Sequence, residues 1–399
     1  MSSTHLFDTP AAALDYLLAP CPVARFIDEV YEHTPLIVRR DEPGRYGDLL
    51  SIADIDRLVA GVEMRGDGLQ LVRAKPKIVP RDYTLSNGIV DPIRVADLYA
   101  GGATIVLNQL QRLHPPLDAL TRALETAFSA PFQANVYLTP AGGQGFPVHY
   151  DNHDVMVLQI EGDKAWRLYE APIHLVFHGE RFEPGVYDPG KTTDSFTLRA
   201  GDALYIPRGQ MHEAAGGATG PSLHVTIGIL AKTWTDLILE AVAGLALRDD
   251  EFRKSLPIGF ARPDADLGAM RATFDDLIGR FESGAAFEEA YAVMRDDFVR
   301  RRRPQIAGSI LGPCPVVKAD TRLVMRPNLA WRLAEDDKGL ELLANGRTMR
   351  FRPDERQALE RALSGEPFGA ADLGGRLDGK RALGLARRLV EAVLVMKRA

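Results

Sequence analysis

Residues 133–166, QANVYLTPAGGQGFPVHYDNHDVMVLQIEGDKAW, constrain the fold of this 399-residue chain more than any other stretch. The run Val155-Met-Val-Leu-Gln-Ile160 is apolar at all but one position and reads as a buried strand. Gly142, Gly143 and Gly145 form a turn before it. Further on, Gly201-Asp202 is a turn signal and residues 203–206 read as a short strand ending at Pro207. His149 and Asp151 lie in the first stretch and His212 follows the second. On a strand, residues i and i+2 face the same way, so His149 and Asp151 can aim an imidazole and a carboxylate at one point while Tyr150 faces away. A second imidazole from a neighbouring strand, His212, completes two histidines and one carboxylate. That set occupies one face of an octahedral Fe(II) and leaves three positions open. A lone His-x-Asp is common in surface turns and carries little by itself. Here the flanking turn and buried run raise the metal reading above the bland one.

The same pieces resemble a known family. Asn135-Val-Tyr137-Leu-Thr-Pro140, Gln144-Gly-Phe146, His149-Tyr-Asp151, Leu158-Gln159, Gly162-Asp-Lys164-Ala-Trp166-Arg167, Gly201-Asp202, Tyr205-Ile-Pro207, His212 and Ser222-Leu-His224-Val-Thr226 look like the JmjC-type, cupin-4 branch of the 2-oxoglutarate oxygenases. Within it they resemble the ribosomal oxygenases, which hydroxylate ribosomal proteins. The resemblance implies an α+β chain built on a double-stranded β-helix, the jelly-roll or cupin JmjC barrel, with flanking helices. It implies Fe(II) held by His149, Asp151 and His212, with 2-oxoglutarate as co-substrate and O2 as oxidant. Lys164 would pair with the distal carboxylate of 2-oxoglutarate. An anion suits it, because a buried ammonium is costly without a counter-charge. Without the family, Glu161-Gly-Asp-Lys164 would read as a solvated turn. Asn135 and Tyr137 alternate onto one inward face and, with Thr226, are the other expected co-substrate contacts. His224 reads as a residue packed behind the metal's ligands or, preferably, as a core histidine. His153 is left outside the metal's ligands because i and i+4 lie too far apart on a strand; it is a candidate for the substrate pocket.

Composition bounds the remaining classes. Hydrophobic content of 46% and charged content of 26% describe an ordinary globular chain. A net charge of −6 and a pI near 5.9 argue against wholesale nucleic-acid binding, though a local basic patch stays open. Cys21 and Cys314 are far apart, each before a proline, and make neither a zinc motif nor a disulfide framework. No apolar run reaches membrane-spanning length and the first residues lack signal-peptide character, so the expected location is the cytoplasm.

Along the chain, three domains are expected: 1–230, the catalytic barrel with an N-terminal helical layer; 231–313, helical; and 314–399, a small mixed module. Thr9 before Pro10 is a helix start, residues 26–31 a short helix, residues 35–40 a strand, and Ser51 with Asp54 a capping box. Strands are expected at 68–73 and 103–108, and helices at 95–99 and 117–128. Residues 171–200 form a long excursion between the two halves of the site, with 196–198 returning as a strand. Residues 208–212 make a flexible turn at the barrel mouth. Residues 237, 238, 241, 242 and 245 form an apolar helical stripe, repeated over 274–281 and 285–298. The resemblance implies a homodimer through this region. Arg300–Arg303 read as a helix end with charge complementing the dipole. In the last module Asn345-Gly346 signals a hairpin, with helices at 354–363 and 380–395. This mixture resembles the family's C-terminal winged helix. Direct nucleic-acid contact is left open there, and a structural or protein-contact role is preferred. The function implied is hydroxylation of a polypeptide, a ribosomal protein first. The same oxygenase acting on a small molecule, a biosynthetic peptide or a methylated lysine is the alternative, and a non-catalytic cupin binding protein the third reading.

Overall fold

The computed structural model describes residues 6–309 and 317–398, and Cys314 lies outside the described residues. The chain divides into two compact units, the first ending at Ala231 and the second starting at Lys232.

The first unit is a barrel of two antiparallel sheets with helices on one outer face. Its strands are β1 (Leu36–Val38), β2 (Leu69–Val72), β3 (Thr104–Leu107), β4 (Phe132–Thr139), β5 (Asp154–Glu161), β6 (Asp163–Tyr169), β7 (Thr192–Arg199), β8 (Ala203–Ile206), β9 (His212–Gly216) and β10 (Ser222–Ile229). The larger sheet runs β1-β8-β5-β10-β4-β3-β2 and the smaller β7-β6-β9. This interleaving is the double-stranded β-helix, a cupin-type architecture with mixed α and β content.

Strand β5 explains why its sequence is a nearly continuous apolar run. Val155 and Val157 face inward and pack with Trp166, Leu168, Leu198, Leu204 and Ile206 between the two sheets. Met156, Leu158 and Ile160 face outward into the larger core under the helices. A strand covered on both faces loses the polar half of its alternation. The helical layer includes Pro10–Leu18, Ile52–Gly61 and Pro115–Phe128. Thr9 caps the first through its side chain, and Ser51 and Asp54 form the reciprocal capping box of the second. The sharp β5–β6 turn depends on Gly162, whose φ is +65° and whose position would put a Cβ 2.1 Å from the Pro221 carbonyl oxygen.

The second unit begins with helices Trp234–Ala246, Leu267–Gly284 and Phe287–Arg301. Asp296 on the third of these accepts from Arg332, which also reaches Glu341. That ties the helix to an antiparallel three-stranded sheet. Its strands are β12 (Trp331–Asp336), β13 (Gly339–Ala344) and β14 (Arg347–Phe351), and a second pair joins β11 (Leu323–Met325) to β15 (Val395–Lys397). Asn345 and Gly346 both have positive φ, 50° and 70°, as the tight hairpin turn requires. The last helix, Gly379–Glu391, stops short of the expected 395, since Val395 leaves it to pair with Met325. No helix among the described residues is long and apolar enough to cross a membrane.

Candidate metal centre and anion pocket

The structure brings His149, Asp151 and His212 together, with one donor atom from each within 4.8 Å of the others. It does so differently from the strand expectation. His149 and Asp151 sit in the loop between β4 and β5, outside any strand. The loop is held by an isolated bridge to the first residue of β9. His149 N–H donates to the His212 carbonyl at 3.0 Å and His212 N–H to the His149 carbonyl at 2.8 Å. Gly209 N–H donates to the Asp151 carbonyl at 3.0 Å. Backbone pairing, not strand periodicity, aligns the three side chains.

Each imidazole is oriented by its own chain. His149 Nδ1 lies 2.8 Å from the Pro147 carbonyl and His212 Nδ1 lies 3.0 Å from the Gln210 carbonyl. With a carbonyl as partner, Nδ1 carries the proton and Nε2 keeps its lone pair, the arrangement that metal-ligating histidines use. His212 Nε2 is 3.8 Å from Asp151 Oδ2. Burial, reinforced by the nearby His149, pushes the His212 pKa down to about 4, so it stands neutral and ready to ligate near pH 7. Two imidazole nitrogens and a carboxylate oxygen are the donor set suited to a facial Fe(II) site with three open positions.

The turn carrying His212 is tied down, contrary to the expected flexible mouth. Arg208 donates to Asp154 at 2.7 Å and also pairs with Glu32, while the Tyr205 hydroxyl donates to Asp154 at 2.7 Å. Sequence reasoning missed this network, because Glu32, Asp154 and Arg208 are scattered along the chain and no spacing links them.

Beside the triad lies a cavity of about 180 Å³ whose lining includes Thr104, Tyr137, Phe146, Lys164, Trp166, His224 and Thr226. Lys164, on β6, is 5% exposed and points inward rather than into a solvated turn. Its Nζ donates to Thr139 Oγ1 at 3.2 Å and lies 3.4 Å from His224 Nδ1, with no carboxylate partner among the described residues. Burial lowers its pKa to about 7. Tyr137 lies directly across from His224 in the β4–β10 register, and the two rings stack at 4.7 Å. Trp166 Nε1 is buried with no hydrogen-bond partner among the described residues. Asn135 pairs across from Thr226 on the same face as Tyr137, but its side-chain oxygen accepts from Gln109 N–H and it stands outside the cavity lining. His153 also stands outside, beside Gln133 and Gly228. His224, expected as a core residue, lines the cavity.

A double-stranded β-helix with two histidines and a carboxylate brought together, and a buried lysine lining the same cavity, defines a cupin-type barrel with a candidate metal centre and a candidate anion pocket. Residues 107–237 match the family model described as the JmjC domain. The chain is 32% identical over 321 residues to mouse ribosomal oxygenase 2, covering 75% of this chain and 66% of the relative. Among solved structures it resembles YcfD from Escherichia coli, with a TM-score of 0.54 at 18% identity, covering 94% of this chain and 98% of that one. A second YcfD structure, a ribosomal oxygenase in complex with cobalt and 2-oxoglutarate, matches with a TM-score of 0.51 at 17% identity, covering 94% and 98%. Residues 107–237 thus carry a JmjC domain, and the chain is similar to the ribosomal oxygenases, spanning about two thirds or less of the length of the curated relatives it matches.

Proposed function

We propose that this protein is an Fe(II)- and 2-oxoglutarate-dependent oxygenase that hydroxylates a protein side chain, with a ribosomal protein as substrate. The observation that carries the reading is the pairing of the triad with Lys164. An ammonium buried without a counter-charge is penalised by several kcal/mol, and a carboxylate ligand removes that penalty. The site fits the groups it is proposed to hold: three neutral or anionic donors for the metal, and a cation behind them for the far end of a dicarboxylate. His149, Asp151 and His212 would hold the iron, Lys164 and Thr139 the distal carboxylate, and Tyr137 and Thr226 the walls; Asn135, the remaining expected contact, would buttress Gln109 instead.

Bound iron with 2-oxoglutarate and O2 supplies the oxidising chemistry, which releases succinate and CO2 and inserts one oxygen atom into a substrate C–H bond. The chain's own contribution is placement. The carbonyls of Pro147 and Gln210 fix the two imidazole rings. Val155, Val157, Trp166 and Ile206 keep the interior apolar beside the reacting centre. Phe146 and Phe182 pack near His149 where the excursion after β6 covers the loop.

A polypeptide substrate is supported by the similarity to ribosomal oxygenases, not by any residue of the pocket. The test is mass spectrometry of a ribosomal-protein extract, taken from cells lacking this gene, after incubation with Fe(II), 2-oxoglutarate and enzyme. A one-oxygen gain on one peptide, missing with Asp151→Ala, supports the reading. Succinate release with no modified peptide overturns the polypeptide substrate and leaves the small-molecule alternative.

The helical region 231–313 is proposed as a homodimerisation element. Helix Leu267–Gly284 buries none of its residues, and Trp234, Ile238, Phe274 and Ile278 are all exposed. The module 314–399 is proposed as winged-helix-like, from its three-stranded sheet and the helix Gly379–Glu391, with a protein-contact rather than nucleic-acid role. The cytoplasm is the proposed location.

A further inference from the structure

The cavity holds a second polar group beside Lys164 that the proposed chemistry leaves unused. His224 is 3% exposed and held between two aromatic neighbours, stacked on Tyr137 with planes 5° apart and in a T-shaped contact with Trp166 at 5.9 Å. Its Nδ1 faces Lys164 Nζ at 3.4 Å, and among the described residues its Nε2 has no hydrogen-bond partner. The ring lines the same cavity as Lys164.

A bound carboxylate keeps Lys164 protonated. An ammonium has protons to give and no lone pair, so the contact to His224 runs from Nζ–H to Nδ1. A neutral imidazole that accepts at Nδ1 carries its proton on Nε2. We propose that His224, locked by Lys164 as the Nε2–H tautomer, is a neutral donor to the distal carboxylate of the bound dicarboxylate and sets the pocket's preference for that group. This rests on the 2-oxoglutarate reading above. The burial that lowers the pKa of His224 agrees with a neutral ring, and a neutral donor adds a hydrogen bond to the anion without placing a second charge against Lys164. Thr139 completes the cluster, bonded to Lys164 on one side and to Thr104 Oγ1 at 3.1 Å on the other.

The test measures binding rather than turnover. Protein loaded with Co(II) is titrated calorimetrically with 2-oxoglutarate and with 2-oxopentanoate, a 2-oxo acid lacking the distal carboxylate. His224→Phe keeps the stacking and removes both nitrogens. His224→Gln keeps a side-chain N–H near the place of Nε2. A hydrogen bond to a charged group corresponds to roughly tenfold to hundredfold in affinity. The expected result is that loss for 2-oxoglutarate with His224→Phe, recovery to within about threefold with His224→Gln, and no change for 2-oxopentanoate with either. Nitrogen-15 histidine spectra of the 2-oxoglutarate complex should show His224 protonated at Nε2 alone. Equal 2-oxoglutarate affinity in wild type and His224→Phe overturns the proposal, as does a proton on Nδ1. Failure of the wild type to bind 2-oxoglutarate would instead overturn the co-substrate reading beneath it. Unchanged Co(II) binding and circular dichroism in the variants certify the fold.

Discussion

Lys164 carries its charge into a barrel interior where, among the described residues, a threonine hydroxyl and an imidazole nitrogen are its partners and no carboxylate pairs with it. Its ionisation therefore ties stability and ligand binding to pH. With no ligand, the folded pKa near 7 lies below the unfolded value of about 10.4. Between those values the unfolded chain holds more protons, so stability rises with pH across the window from about 7 to about 10 and levels off beyond it. The melting temperature of ligand-free protein should rise over that window relative to Lys164→Met, which lacks the titrating group; parallel curves would refute the assignment. Binding runs the other way. Only the ammonium attracts a carboxylate, so 2-oxoglutarate affinity should fall above pH 7, by up to about tenfold per unit. Lys164→Ala should weaken 2-oxoglutarate binding at pH 7 by about thirtyfold or more, the scale of removing one partner of a buried charge pair. An unchanged dissociation constant would sink its role.

At the scale of elements, two loops must be brought into register before three ligands can meet. The buried pair Asp154–Arg208 sits between them, one residue three positions after Asp151 and the other four before His212. Breaking a buried pair costs about 3–5 kcal/mol. Arg208→Met should lower the denaturation midpoint accordingly and weaken Co(II) binding, whereas the exposed Arg271→Met should do neither. Retained metal affinity in Arg208→Met would show that the loop pairing stands without the ion pair. These two loops also mark where sequence reading succeeds and fails. Thr9, Pro10, Ser51 and Asp54 act on their own helix ends, and Asn345-Gly346 on its own turn, so local sequence is enough to read them. The candidate ligands His149, Asp151 and His212 were legible because chemistry restricts which side chains can hold iron. Their loop geometry was not, since it is set by hydrogen bonds between His149 and His212, which lie far apart in the chain. Local sequence alone reads Lys164 as a turn lysine; it was the family resemblance that assigned it to the co-substrate, and β6 does turn it inward. His224 looked like core because nothing in Ser222-Leu-His224 reveals a cavity in front of it.

For the whole molecule, the exposed apolar surface of the helical region sets the expectation. A large uncovered apolar patch on a soluble chain marks an interaction surface. Sedimentation should give a dimer for the wild type and a monomer for Phe274→Glu combined with Ile278→Glu, with the metal site intact in both; a wild-type monomer would discard the dimer. The central claim concerns the barrel and is tested most directly with isotopic oxygen. The protein is incubated with Fe(II), 2-oxoglutarate, 18O2 and a ribosomal-protein fraction, and succinate and peptides are weighed by mass spectrometry. The account predicts one labelled oxygen in succinate and one in a single peptide, both lost with Asp151→Ala. Label that persists in Asp151→Ala, or no labelled succinate from the iron-loaded wild type, would contradict it.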